Sequence, residues 1–207
     1  MSKKPGRAAP LPPEDRRHAI VDAVIPLLVR RGAGVTTRQI AEAAGVAEGT
    51  IFRVFPDKCA LMIAAAQATV DPSNLQRVLA DIDPAQDLHD TVREVAAHLL
   101  TRMEKVLAVM MAVRGLVDVP EGRGGHSQND GPPAFVREAN TALLTTLTEI
   151  FERHHAELGV APERAALMLR SLVFGSRHPG MKHTHTLTAE EIATVLVSGI
   201  TRPGREH

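Results

Sequence analysis

Gly32, Gly45 and Pro56 cut the first third of this 207-residue chain into short helical pieces, which narrows what it can fold into more than any other feature. From Glu14 to Arg31 the apolar residues Ile20, Val21, Val24, Ile25, Leu28 and Val29 recur at helical spacing, and Gly32 ends the run. Pro26 sits inside that helix and removes the backbone bond to the Asp22 carbonyl, so a kink or local break is expected there. A second, short helix begins where Thr36 can cap it and Gln39 can reach back in a capping box; it carries Ile40, Ala41 and Ala44 and stops at Gly45, which suits a left-handed turn. A third runs from Glu48 to about Val54. Pro56 then breaks the chain, and Asp57 caps a fourth helix that bears Leu61, Met62, Ala65 and Ala68 and continues until Pro72.

Longer helices follow. Leu88, Val92, Val95, Leu99, Val106 and Met110 mark one, and Ala139, Ala142, Leu143, Leu147 and Ile150 mark another. Between them, Gly122 to Pro133 reads as a flexible loop. Pro162 starts a helix with Leu169, Leu172 and Val173 on its apolar side, and Thr188 with Glu191 forms a second capping box ahead of Ile192, Val195, Leu196 and Gly199. No alternating segment of strand length competes, so an all-α fold is expected. With 44% apolar residues but only five Phe and no Tyr or Trp, its core is packed by Ala, Leu, Val, Ile and Met.

Net charge is zero, yet residues 1–60 hold ten Lys and Arg against six Asp and Glu, leaving the front at +4 and the remainder at −4. Such asymmetry fits one half that meets a polyanion. The single cysteine, Cys59, excludes an internal disulfide framework, and the cationic N-terminus has no apolar signal core. The longest uncharged run, Cys59 to Val70, is about half of what a membrane span needs. A cytoplasmic protein is expected, with no membrane partner. No phosphate loop, nucleophile elbow or His-Glu metal motif occurs, so no enzyme, cofactor or metal site is expected.

A short helix, a glycine turn and a second short helix, propped by a longer preceding helix, form the pattern of a helix-turn-helix. The second helix of such a unit enters the major groove, so its first residues must let the backbone approach the bases; Glu48, Gly49 and Thr50 meet that need. Gly49 costs about 1 kcal/mol of helix stability relative to Ala, and close approach to DNA supplies a reason for it. Thr36, Thr37 and Arg38 at one helix start, Lys58 at another, and Arg53 are candidates for phosphate. Phe55 is expected to plug the small three-helix core, whereas Phe52 faces either that core or the DNA backbone.

The segment TTRQIAEAAGVAEGTIFRVFPDKCAL, with AIVDAVIPLLVRRG before it, resembles the DNA-binding part of the tetracycline-repressor (TetR) family of bacterial transcriptional regulators over about residues 14–62. The resemblance implies an N-terminal three-helix helix-turn-helix domain followed by a larger helical-bundle domain. Its divisions would be a disordered basic arm at 1–13, a DNA-binding domain at 14–58, a ligand-binding and dimerisation domain at 59–201 and a tail at 202–207. It further implies a homodimeric, ligand-responsive regulator, most often a repressor, that binds a palindromic double-stranded operator and is released by a small-molecule inducer of unknown identity. The DNA contacts would fall on Thr36, Thr37, Arg38, Glu48, Gly49, Thr50, Phe52, Arg53 and Lys58. The last two helices would pair with the partner subunit through Ala165, Leu169, Leu172, Val173, Ile192, Val195, Leu196 and Gly199.

Several positions depart from the family pattern: Ala47 stands where a capping serine is common, Glu48 where lysine often sits, Phe52 where tyrosine usually offers a hydroxyl, and Val54 where histidine or tyrosine is frequent. A carboxylate at Glu48 favours cytosine N4 over guanine, or points away from the groove. In the second domain, Met103, Leu107, Met110, Met111, Leu143, Leu147 and Met168 are candidates to line an adaptable inducer pocket or to pack a core. His154, His155, His178, His183 and His185 invite a metal reading, but lack ligand spacing. The alternative to a regulator is a helical small-molecule or metal carrier that has lost specific DNA binding.

Overall fold

The computed structural model describes residues 12–117, 132–177 and 186–201. Over these the protein is all-α, with nine α-helices, one 3₁₀ turn and a single isolated antiparallel bridge. The expected basic arm up to residue 11, most of the Gly122 to Pro133 loop, His178, His183, His185 and the tail lie outside the described residues. The chain divides into two compact units. The first comprises the described residues through Thr69 together with the helical stretch from Ala108; the second comprises Val70–Leu107 and the described residues from 132 onward.

In the first unit, α1 (Pro13–Arg31) opens with proline where a missing N–H costs nothing. It continues through Pro26, where a kink or break was expected. One absent hydrogen bond does not break it, because Val24, Leu27 and Leu28 are buried around Pro26 while Pro26 itself is exposed. After the 3₁₀ turn Gly32–Gly34, α2 (Thr37–Ala43) starts in a complete capping box: the Gln39 N–H donates to Thr36 Oγ1 at 3.3 Å and the Thr36 N–H to Gln39 Oε1 at 3.1 Å. Its end is a paired capping turn. Gly45 takes φ +65°, the Val46 N–H donates to the Ala41 carbonyl at 3.0 Å and the Gly45 N–H to Glu42 at 3.2 Å. That turn delivers the chain into α3 (Glu48–Val54), and Asp57 then caps α4 (Lys58–Val70) by accepting from the Ala60 N–H at 2.7 Å.

Ile20, Val24, Leu28, Val35, Ile40, Ile51, Phe55, Leu61 and Met62 are each no more than 1% exposed. Phe55 is the largest of them, and the Arg17 guanidinium stacks 4.5 Å above its ring centroid.

The second unit contains α5 (Pro72–Ala80), α6 (Leu88–Val117) as far as Leu107, α7 (Ala134–Glu152), α8 (Pro162–Arg177) and α9 (Ala189–Ile200). Helix α5 corrects the sequence reading, which treated Pro72 only as a terminator. Pro72 is instead the first residue of a new helix, capped by Asp71, whose carboxylate accepts from the Ser73 N–H at 3.0 Å and the Ser73 hydroxyl at 2.9 Å. Those bonds hold the Asp71 carboxyl below the usual carboxylate range. Leu75 and Leu79 on α5 join a core that includes Leu99, Met103, Leu147, Phe151, Leu169, Ile192 and Leu196. Helix α9 is fixed at both ends. Thr188 and Glu191 form the second capping box, and the Gly159 N–H donates to the Ile200 carbonyl at 2.6 Å beside the Leu158–Thr201 bridge.

Truncating the centre of the first unit should be expensive. Phe55→Ala is expected to lower stability by about 3–5 kcal/mol, since it empties a large buried volume. Urea unfolding followed by circular dichroism checks this; a loss under about 1 kcal/mol would mean that the core collapses around the gap.

Candidate nucleic-acid interface

The residues singled out for DNA contact lie at the starts of α2, α3 and α4 and along α3. Thr36 and Arg38 are exposed and Thr37 is half-buried; on α3, Glu48, Gly49, Phe52 and Arg53 are exposed and Thr50 is half-buried. Ile51 is the one residue of α3 buried in the core. Phe52, left open between core and DNA backbone by the sequence, is 51% exposed and belongs to the surface.

Two contacts organise this surface. The Thr37 hydroxyl, on the first residue of α2, donates to Oε1 of Glu48, the first residue of α3. Lys58 Nζ donates to the Ala33 carbonyl at 3.2 Å, which ties the start of α4 to the turn after α1 and leaves two further ammonium hydrogens. Ala47 provides no side-chain cap for α3. The acidic Glu48 in the first turn supports the helix instead.

Gly49 has a different standing from Gly45. Its φ is not positive, and a Cβ built there meets nothing within 4 Å. Neither backbone conformation nor internal packing requires glycine at this exposed position, although the helix forfeits about 1 kcal/mol by having it.

The second unit carries its own outward feature. Leu167, Met168 and Phe174 on α8 and Val195 on α9 are exposed, Val195 by 62%. An open, apolar groove of about 450 Å³ runs between the two helices, lined by Leu167, Met168, Leu172, Val195, Leu196 and Gly199 among others. Gly199 resembles Gly49, since a Cβ there would meet nothing within 4 Å. Of the residues expected to pair with a partner subunit, Leu172, Val195, Leu196 and Gly199 line this groove, while Ala165, Leu169, Val173 and Ile192 are buried within the chain's own core. Leu167 and Phe174 were missed by the sequence reading. The available signal was a second apolar face on α8, opposite Ala165, Ala166, Leu169 and Val173.

The candidate inducer residues do not fall together. Met103 and Leu147 are in the core of the second unit with Leu107 and Leu143 packed against it, Met168 lies on the outer face of α8, and Met110 and Met111 belong to the first unit. His154 Nδ1 lies 3.1 Å from Glu157 Oε1 and His155 Nδ1 lies 3.1 Å from the Glu152 carbonyl. Among the described residues, no group of three or more His, Cys, Asp or Glu could hold a metal ion, and no helix is long and apolar enough to cross a membrane.

The family model described as bacterial regulatory proteins, tetR family, matches residues 20–65. No curated protein matches the chain. Among solved structures, a TetR-family transcriptional regulator from Agrobacterium tumefaciens is 17% identical with a TM-score of 0.61, covering 92% of this chain and 100% of that one. NalD, the secondary repressor of the MexAB-OprM multidrug efflux pump in Pseudomonas aeruginosa, is 24% identical with a TM-score of 0.51, covering 92% and 99%. AibR, in complex with isovaleryl coenzyme A and operator DNA, is 19% identical with a TM-score of 0.51, covering 91% and 100%. Residues 20–65 thus match the N-terminal segment of the TetR family of bacterial regulatory proteins, on a chain whose fold is shared with solved TetR-family transcriptional regulators.

Proposed function

We propose that the protein is a homodimeric, ligand-responsive transcriptional repressor that binds a palindromic operator through α2, α3 and the start of α4. The observation that carries this reading is Gly49, a glycine in the exposed first turn of α3 with no internal reason to be glycine. A DNA backbone or base edge approaching that turn supplies the reason. Arg38 and Arg53 then neutralise phosphates, Thr36 and Lys58 donate to them, Thr37 and Glu48 border the same approach, Thr50 faces the groove, and Phe52 contributes apolar contact.

Reading a palindrome requires two copies of α3 about 34 Å apart or a multiple of that. The exposed apolar face of α8 and α9 suits the second copy: Val195, Leu167 and Leu172 offer apolar area, and Gly199 admits close helix approach. An inducer is proposed for the second unit near Met103, Leu107, Leu143 and Leu147, where the Met103 thioether can remould around a ligand. AibR was solved with a small molecule and operator DNA together, which fits this pairing of functions on one fold. Ligand and operator should then weaken each other by one common factor, a coupling of about 1–3 kcal/mol.

Selection of genomic fragments by the purified protein at near-physiological salt should enrich a short palindrome, and Thr50→Ala or Lys58→Ala should lose it. Weak, salt-sensitive binding with no enriched sequence would favour the carrier instead. Gly49→Ala should move two quantities in opposite directions. Stability should rise by about 1 kcal/mol in denaturant unfolding while operator affinity falls; unchanged affinity would remove the argument from Gly49.

Leu167→Glu combined with Val195→Glu places charges only on exposed positions. Sedimentation should report folded monomers that no longer bind the palindrome specifically. A variant that stayed dimeric would move the interface elsewhere.

A further inference from the structure

We propose that Thr37 is a positioning residue, whose hydroxyl holds the Glu48 carboxylate as an acceptor-only reader of cytosine in the operator. The inference rests on the regulator reading above and specifies one base contact within it. Thr37 and Glu48 lie eleven residues apart on different helices, and the contact between them joins the first turn of α2 to the first turn of α3. Glutamate alone, with three side-chain torsions on an exposed turn, has no fixed direction. Thr37 does: it is β-branched, half-buried and stiff at χ1, so a hydrogen bond from its hydroxyl transfers that order to the carboxylate.

Among the described residues no cation forms an ion pair with Glu48. On a surface that meets phosphates, an unneutralised carboxylate is repelled unless the DNA presents a donor to it. The major groove offers two kinds, cytosine N4 and adenine N6. Guanine N7 and O6 and thymine O4 are acceptors, and each opposes a carboxylate. Adenine places its N7 acceptor beside N6, so a group with no hydrogen to give meets repulsion next to its one bond. Cytosine presents N4 without an acceptor of its own on that edge. The pair therefore selects cytosine as much by rejecting the other bases as by binding this one. Glu48 also supports the start of α3, but a helix-stabilising charge has no preference among bases.

The test uses the full chain, the palindrome selected by the wild type, and a library with every base pair at each half-site position. The wild type is expected to prefer cytosine about tenfold at one position. Glu48→Ala should flatten that position alone. Glu48→Gln should transfer the preference to adenine, which an amide can bind with both a donor and an acceptor. Thr37→Val, equal in shape but unable to donate, should reduce the cytosine preference several-fold there and nowhere else, and Thr37→Ser should restore it. An unchanged profile in Glu48→Ala would overturn the base contact. Equal weakening for all four bases in Thr37→Val, without rescue by serine, would reduce Thr37 to a backbone or stability role. A wild type that enriches no sequence would overturn the regulator reading and this inference together, an outcome distinct from the other two.

Discussion

The whole of the first unit depends on the burial of Phe55. Helices α2 and α3 have seven residues each, well below the length at which helix persists in water without tertiary support. Their order comes from Ile40 and Ile51, which enter the same sealed interior as Ile20, Leu28 and Leu61, with Phe55 as its bulkiest member and Arg17 stacked across the ring. The Gly45 turn fixes how the chain leaves α2, but a turn alone sets a direction without the energy to keep it. Burial of the aromatic side chain supplies that energy, and the outward side chains of α3 take their places from it.

Much of this organisation is legible in the chain because it is encoded locally. Both capping boxes, Thr36 with Gln39 and Thr188 with Glu191, join residues three apart, and the left-handed turn at Gly45 needs only one residue type. Helix α5 was lost for an instructive reason. Proline ends one helix and begins the next equally well, and Asp71 beside Pro72 carried the information that the second role applied. Pro26 misled in the opposite sense, since tertiary burial on either side of it outweighs a single missing backbone bond.

What the sequence concealed is pairwise and long-range. Nothing in local spacing announces that Thr37 meets Glu48, or that Lys58 reaches the carbonyl of Ala33, twenty-five residues away. The face of α8 holding Met168 can be read as a second apolar face, but its outward direction cannot, because an apolar residue has the same periodicity whether it faces its own core or outward. Three helical positions escape that ambiguity. Gly49, Gly175 and Gly199 weaken their helices and relieve no clash within the chain, so each directs attention to something outside it.

Only Ile51 among the seven residues of α3 is committed to the interior. The other six side chains lie wholly or partly at the surface, so a change at most of them alters what α3 presents outward while Ile51 still seats the helix. The exception is the position shared with α2. Because Thr37 and Glu48 touch, the effect of a change at one depends on the other, and the accessible evolutionary routes through that corner are epistatic where the rest of the helix is free.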